Sequence, residues 1–152
     1  MSHWTYNNEP IEELPQGVAG FIYKITNLEN GKMYIGRKYA VSVRRKALTK
    51  VQKAAGRKRK EVITKESDWA KYTGSSKVLN EDIKNIGKDK FKFEILMFGK
   101  TKGVINYLEE NIHMKLDVIL SDNYYNDCIG PRGFMALRGN KELKELLNIN
   151  EI

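Results

Sequence analysis

Two tyrosines in short alternating segments, a pair of arginines and a pair of glutamates are the residues of this chain whose types and spacing could do chemistry. Tyr23 lies in Gly20-Phe-Ile-Tyr23 and Tyr34 in Tyr34-Ile-Gly36. A tyrosine hydroxyl, with an unperturbed pKa of about 10, is a poor base. Beside a cation its proton moves more easily. Arg44 and Arg45 each offer a guanidinium that stays charged and forks onto two oxygens. Glu109 and Glu110 offer the carboxylate that a hard divalent cation needs. Cys128 is the single cysteine and the two histidines, His3 and His113, lie far apart. Neither a disulfide nor a zinc site can be built from such a set within one chain. Without context, tyrosines on strands are ordinary packing residues, so the reading depends on the elements that hold them.

Those elements are legible in outline. Phe21, Tyr23 and Ile25 alternate with Ile22, Lys24 and Thr26, the period of a strand. Asn30-Gly31 is a tight-turn pair, and residues 32–36 alternate again. The segment predicts a β-hairpin with one tyrosine on each strand. Residues 40–55 lack turn residues and read as a helix with a stripe of Ala40, Val43, Ala47, Val51 and Ala54, ended by Gly56. On that wheel Arg44 borders the stripe and Arg45 points to solvent. Residues 67–76 read as an ordered loop, with Ser75 or Ser76 capping a helix over 77–86. A third strand spans 91–98, with Phe91, Phe93, Ile95 and Met97 on one face. The longest helix runs from Thr101 to about Leu120 on a stripe of Ile105, Leu108, Ile112, Leu116 and Ile119. Glu109 borders this stripe and Glu110 turns away. Residues 1–17 read as an irregular lead-in, 130–133 as a turn and 140–149 as a short terminal helix.

The chain has 152 residues and a net charge of +8, with a sequence pI of about 9.5. A compact basic domain favours polyanions, nucleic acid first. No stretch approaches the roughly 18 apolar residues of a membrane span, and no apolar signal core opens the chain. The expectation is a cytoplasmic protein without membrane contact. The densest charge is in Lys46, Lys50, Lys53, Arg57, Lys58, Arg59 and Lys60. Each such residue placed on a phosphate adds salt-dependent affinity. We read the run as a DNA-contacting insertion over about 46–66, against the plainer reading of a solubilising surface. Trp69 and Tyr72 are candidates for base stacking or, equally, for packing under the insertion.

The segment Gly20-Phe-Ile-Tyr-Lys-Ile-Thr-Asn-Leu-Glu-Asn-Gly-Lys-Met-Tyr-Ile-Gly36 resembles the signature of the GIY-YIG nuclease family, over roughly residues 18–130. Trp69, Tyr72 and Gly74-Ser75-Ser76 look like a phage-borne, homing-type subgroup. The resemblance implies an α/β fold: a small, three-stranded, mostly antiparallel sheet flanked by helices, here with a basic helical insertion. It implies hydrolysis of DNA with Mg²⁺ or Mn²⁺. Tyr34 maps to the tyrosine that helps activate water and Tyr23 to its support. Arg44, eight residues past Gly36, maps to the phosphate-binding arginine. Glu109 maps to the metal ligand, with Glu110 as fallback, and Asn126 to the bracing asparagine. Two departures stand out: Phe21 replaces the first glycine of the signature, and Leu48 occupies the position of a usual proton-handling residue. Lys38 and Lys71 are substitutes for that role, and Arg45 and His113 are further candidates for phosphate or proton handling.

The division expected is an N-terminal extension (1–17), a catalytic domain (18–134) and a C-terminal helical tail (135–152). About twenty residues after Arg132 are too few for a separate DNA-binding domain. Target choice then falls to the insertion, a homodimer or a partner protein. The leading function is a phage or mobile-element homing-type endonuclease, in the host cytoplasm if phage-encoded. The alternatives are a restriction, DNA-degrading or repair nuclease of the same fold, and a nucleic-acid-binding module that no longer cuts.

Overall fold

A computed structural model describes residues 1–130, 134–135 and 139–146. The turn expected at 130–133 and the end of the helix expected over 140–149 lie largely outside them. Two strands form the expected hairpin: β3 (Gly20–Asn27) and β4 (Met33–Tyr39), antiparallel, with Tyr23 paired to Gly36 and Ile25 to Tyr34. Below, the remaining strands are numbered in chain order: β1 (Thr5–Tyr6), β2 (Glu9–Pro10), β5 (Val41–Lys46), β6 (Glu61–Glu66), β7 (Phe91–Gly99), β8 (Cys128–Ile129) and β9 (Phe134–Met135). The helices are α1 (Lys50–Ala54), α2 (Lys77–Ile86), α3 (Lys102–Lys115) and α4 (Lys141–Leu146).

The central sheet has five strands in the order β2-β1-β7-β3-β4, so three expected strands are joined by two from the N-terminus. Residues 4–10 are not an irregular lead-in. β1 runs parallel to β7, Trp4 is fully buried, and its indole N–H donates to the Trp69 carbonyl. Alternation then sorts the sheet into two cores. Phe21, Tyr23, Ile25, Phe91, Phe93 and Ile95 pack under α2 and the 69–72 loop, with Leu79 as the anchor of α2. Ile22 and Ile35 pack on the other face against Ile105 of α3 and the Val118-Ile119 turn. Met97 leaves the face expected for it. A bulge opposite Ile22 and Tyr23 inserts one residue into β7 and turns Met97 to the α3 side.

Two helix readings change. α3 stops at Lys115, and Asp117 takes a positive φ of 49°. Val118, Ile119 and Leu120 are all buried, and three consecutive residues cannot share one helix face; a tight turn can bury them together. Residues 40–55 are not one helix. They form β5, a short linker and α1, which starts at a capping box of Thr49 and Gln52. β5 pairs with β6 over six residue pairs, from Val41–Glu66 to Lys46–Glu61. The β-branched Val41, Val43, Val62, Ile63 and Thr64 favour this ribbon. Its register partner lies 15 to 25 residues downstream, beyond the reach of a helical wheel. Among the described residues no helix is long and apolar enough to cross a membrane.

Candidate active site

β4 is an edge strand, so side chains from both faces of the sheet meet at its outer rim. Tyr34 comes from the α2 face and Arg37 from the α3 face. Together with Glu109 of α3, Ser75 and Asn126 they line an open cleft of about 520 Å³.

The unpaired rim of β4 would leave polar backbone exposed. Asn126 covers it as a strand would. Its Nδ2 donates to the Ile35 carbonyl at 2.8 Å and its Oδ1 accepts from the Ile35 N–H at 3.1 Å. His113 Nε2 donates to the same carbonyl at 2.8 Å. This bond places a proton on Nε2 and ties α3 to β4 one turn from Glu109. His113 is therefore an anchor, buried among polar partners, and its Nδ1 has no hydrogen-bond partner among the described residues.

Gly36 owes its identity to the tyrosines rather than to a tight backbone turn. It lies mid-strand, and a Cβ there would sit 2.5 Å from the Tyr23 hydroxyl. Gly74, at φ +86°, closes the same gap from the loop side. Tyr23 is buried, and burial pushes its hydroxyl well above the usual range, helped by the neighbouring Tyr34. It stays neutral and packs the site. Tyr34 is also raised by burial, while a 3.0 Å hydrogen bond with Ser75 pulls the other way. Tyr34 faces the cleft as a neutral hydroxyl with a proton relay partner at hand.

The charged pair of the cleft is Arg37 and Glu109, with Arg37 Nη1 donating to Glu109 Oε1 at 2.8 Å. Glu109 Oε2 carries no hydrogen bond among the described residues. Glu110 also lines the cleft, against the expectation that it turns away; a Cβ on Gly130 would sit 3.0 Å from its Oε1. Asp127 and Cys128 complete the wall, and burial raises the thiol.

Of the residues singled out from sequence, Tyr23, Tyr34, Glu109, Asn126, His113 and Tyr72 meet in this cleft. Arg44 and Arg45 do not. Both are exposed on β5, and the wheel argument that aimed Arg44 at the site falls with the helix it assumed. Lys38 is engaged elsewhere, 2.6 Å from Asp68 and 4.0 Å over the Tyr72 ring. Lys71 is exposed and does not line this cleft. Trp69 cannot stack on bases: it is buried, and its indole donates to Glu66. Lys46, Lys50, Lys53 and Arg57 to Lys60 are exposed on the ribbon and its tip. Sequence reasoning missed Arg37 and gave Ser75 only a capping role, which Ser76 performs. Strand alternation held the signal for Arg37, since it shares a face with Ile35 and hence with α3.

Against known proteins, residues 4–129 match the family model described as "Putative endonuclease segE, GIY-YIG domain". No curated protein and no solved structure gives a significant match.

Proposed function

The chain belongs to the GIY-YIG endonuclease family, and from that premise we propose that it hydrolyses DNA phosphodiesters with a divalent cation held at Glu109. The observation that carries this reading is the convergence of Tyr34, Arg37 and Glu109 on one open cleft at the rim of β4.

The donor set fits Mg²⁺ or Mn²⁺. Among the described residues no group of three or more histidine, cysteine or acidic side chains could hold a metal ion, so a cation here would rest on few protein ligands. One carboxylate with a free oxygen, in a cleft open to water and phosphate, suits a hard cation that keeps most of its waters. When bound, the cation would set positive charge against the phosphate oxygens and ease loss of a proton from water. Arg37 keeps Glu109 turned into the cleft and has further N–H donors for the phosphate. Tyr34 accepts the proton of the attacking water as it gives its own to Ser75, whose exposed hydroxyl releases a proton to solvent. Tyr23 and Gly36 fix the ring of Tyr34, and Asn126 fixes the strand. We assign the homing-type role on the resemblance of residues 69–76 to phage-borne members. A sharp consensus among sequenced cut ends supports that role, and scattered ends remove it.

The test is plasmid cleavage with Mg²⁺ or Mn²⁺. Wild type should nick or linearise the plasmid, and both chelation and Glu109→Gln should stop it. Intact plasmid with wild type sinks the endonuclease reading. Cutting by Glu109→Gln at the wild-type rate sinks the metal assignment alone.

A further inference from the structure

The charge of this chain is concentrated in one place. Residues 41–66 hold ten of the 27 basic residues and two of the 19 acidic ones, a net of +8. That equals the net charge of the whole chain, so the other 126 residues balance at 17 of each sign. The stretch is the β5–β6 ribbon with α1 and the 57–60 run at its tip. Every residue of β5 is exposed, as are Val62 to Glu66 of β6. A bare two-stranded ribbon is marginal in water, and exposed Val41, Val43, Val62 and Ile63 gain nothing from solvent.

Register gives the ribbon two unlike faces. Residues opposite each other in an antiparallel pair share a face. In register Ser42 stands opposite Lys65, Arg44 opposite Ile63 and Lys46 opposite Glu61, so these six share one face. Val41, Val43 and Arg45 share the other with Glu66, Thr64 and Val62. The first face has three basic residues against one acidic, and the second has three valines with one charge of each sign. At its root the ribbon joins the cleft through a second hollow lined by Lys38, Val41, Val43 and Lys102, which shares Arg37 and Tyr72 with the cleft.

We propose that this ribbon seats its Arg44–Lys46–Lys65 face in the major groove of a B-form DNA duplex beside the cut site, with α1 and the 57–60 tip on the flanking phosphates. The inference rests on the reading of the chain as a DNA endonuclease. Dimensions favour the groove. A two-stranded ribbon fits a major groove of about 12 Å as it stands, whereas a minor groove of about 6 Å must be widened to take one. Six residues of strand span about 20 Å, the rise of about six base pairs. Arginine and lysine on the inward face are the side chains that read guanine edges there. In A-form RNA the major groove is deep and narrow, so the same ribbon is excluded.

Binding is measured by anisotropy in the Glu109→Gln background, so that cleavage plays no part. The probes are a labelled 25-base-pair DNA duplex and an RNA duplex of the same sequence. DNA should bind at least about tenfold tighter, and the protein should displace methyl green from the major groove but not distamycin from the minor groove. Arg44→Gln, Lys46→Gln and Lys65→Gln together should weaken duplex binding at least about tenfold, whereas Lys58→Gln, Arg59→Gln and Lys60→Gln together should lower the salt slope by about 2.7, from about 0.9 per phosphate contact. The charge-preserving set Lys58→Arg, Arg59→Lys and Lys60→Arg should restore the slope, which separates lost contacts from lost folding. Equal binding to RNA, displacement of distamycin instead, or an unchanged salt slope would each overturn the proposal. If wild type cuts nothing while this binding pattern holds, the endonuclease reading falls and the ribbon assignment stands.

Discussion

The cleft and the ribbon are built on opposite terms. In the cleft the side chains hold one another in place: Asn126 and His113 grip Ile35, Ser75 grips Tyr34, and Arg37 grips Glu109. The ribbon has its own ladder and little else, with both faces in solvent. Buried, mutually bonded groups are costly to disturb, whereas exposed charges are nearly neutral for stability and matter chiefly to a charged partner. On the proposed reading, precision near the reacting phosphate and adaptability along the duplex fall to different parts of one small chain.

Substitutions can break or sharpen this contrast. The largest effect is expected at Glu109. Glu109→Gln should lower single-turnover cleavage by on the order of 10³-fold while DNA binding stays within a few-fold; a matching loss of binding would mean that the cleft also carries affinity. Next come the supports. Asn126→Ala leaves the buried N–H and carbonyl of Ile35 short of partners, and Gly36→Ala drives a methyl into the Tyr23 hydroxyl. Each should cost about 1–3 kcal/mol in urea unfolding. A cost near zero for both would show that the rim of β4 relaxes freely.

A smaller effect belongs to pH. Burial, with Lys88 nearby, holds His3 down to about 4 from 6.5. The unfolded chain therefore takes up the proton first as pH falls. Stability from docking the N-terminus is whole above pH 6.5 and is lost as pH drops toward 4. Melting temperature measured at pH 7 and pH 5 should fall in wild type and fall less in His3→Gln. The smallest effect is on the ribbon: Arg44→Gln, Lys46→Gln and Lys65→Gln should each change stability by no more than about 0.5 kcal/mol. A larger loss would mean that the ribbon is part of the folding unit.

The same contrast governs what could be read from the sequence. The hairpin was legible because β3 and β4 are adjacent in the chain and alternate strictly, so Tyr23 and Tyr34 came out on the right strands. Glu109 was placed beside the apolar stripe of Ile105, Leu108 and Ile112 and does face the cleft, but the same wheel wrongly turned Glu110 away. Gly36 was visible only as part of the signature, because the clash it avoids comes from a side chain on the neighbouring strand. Arg37 was missed because attention went to the spacing beyond Gly36, while its own alternation with Ile35 already aimed it at α3. The ribbon was misread because alanines, valines and lysines at helical spacing satisfy a wheel as well as a strand, and pairing with β6 is non-local. Trp4 and β1 gave no local pattern, as their partners lie in β7 and the 69–72 loop.

The division of labour turns on two arginines. Arg37 stands in the cleft on Glu109, and Arg44 stands on the ribbon. Single-turnover cleavage at saturating enzyme, with Kd measured in parallel, separates them most directly. The account predicts that Arg37→Gln slows cleavage by about 100-fold with little change in Kd. It predicts that Arg44→Gln weakens Kd and leaves the saturated rate within about twofold. The reverse pattern, with Arg44→Gln abolishing the saturated rate and Arg37→Gln sparing it, would contradict the account.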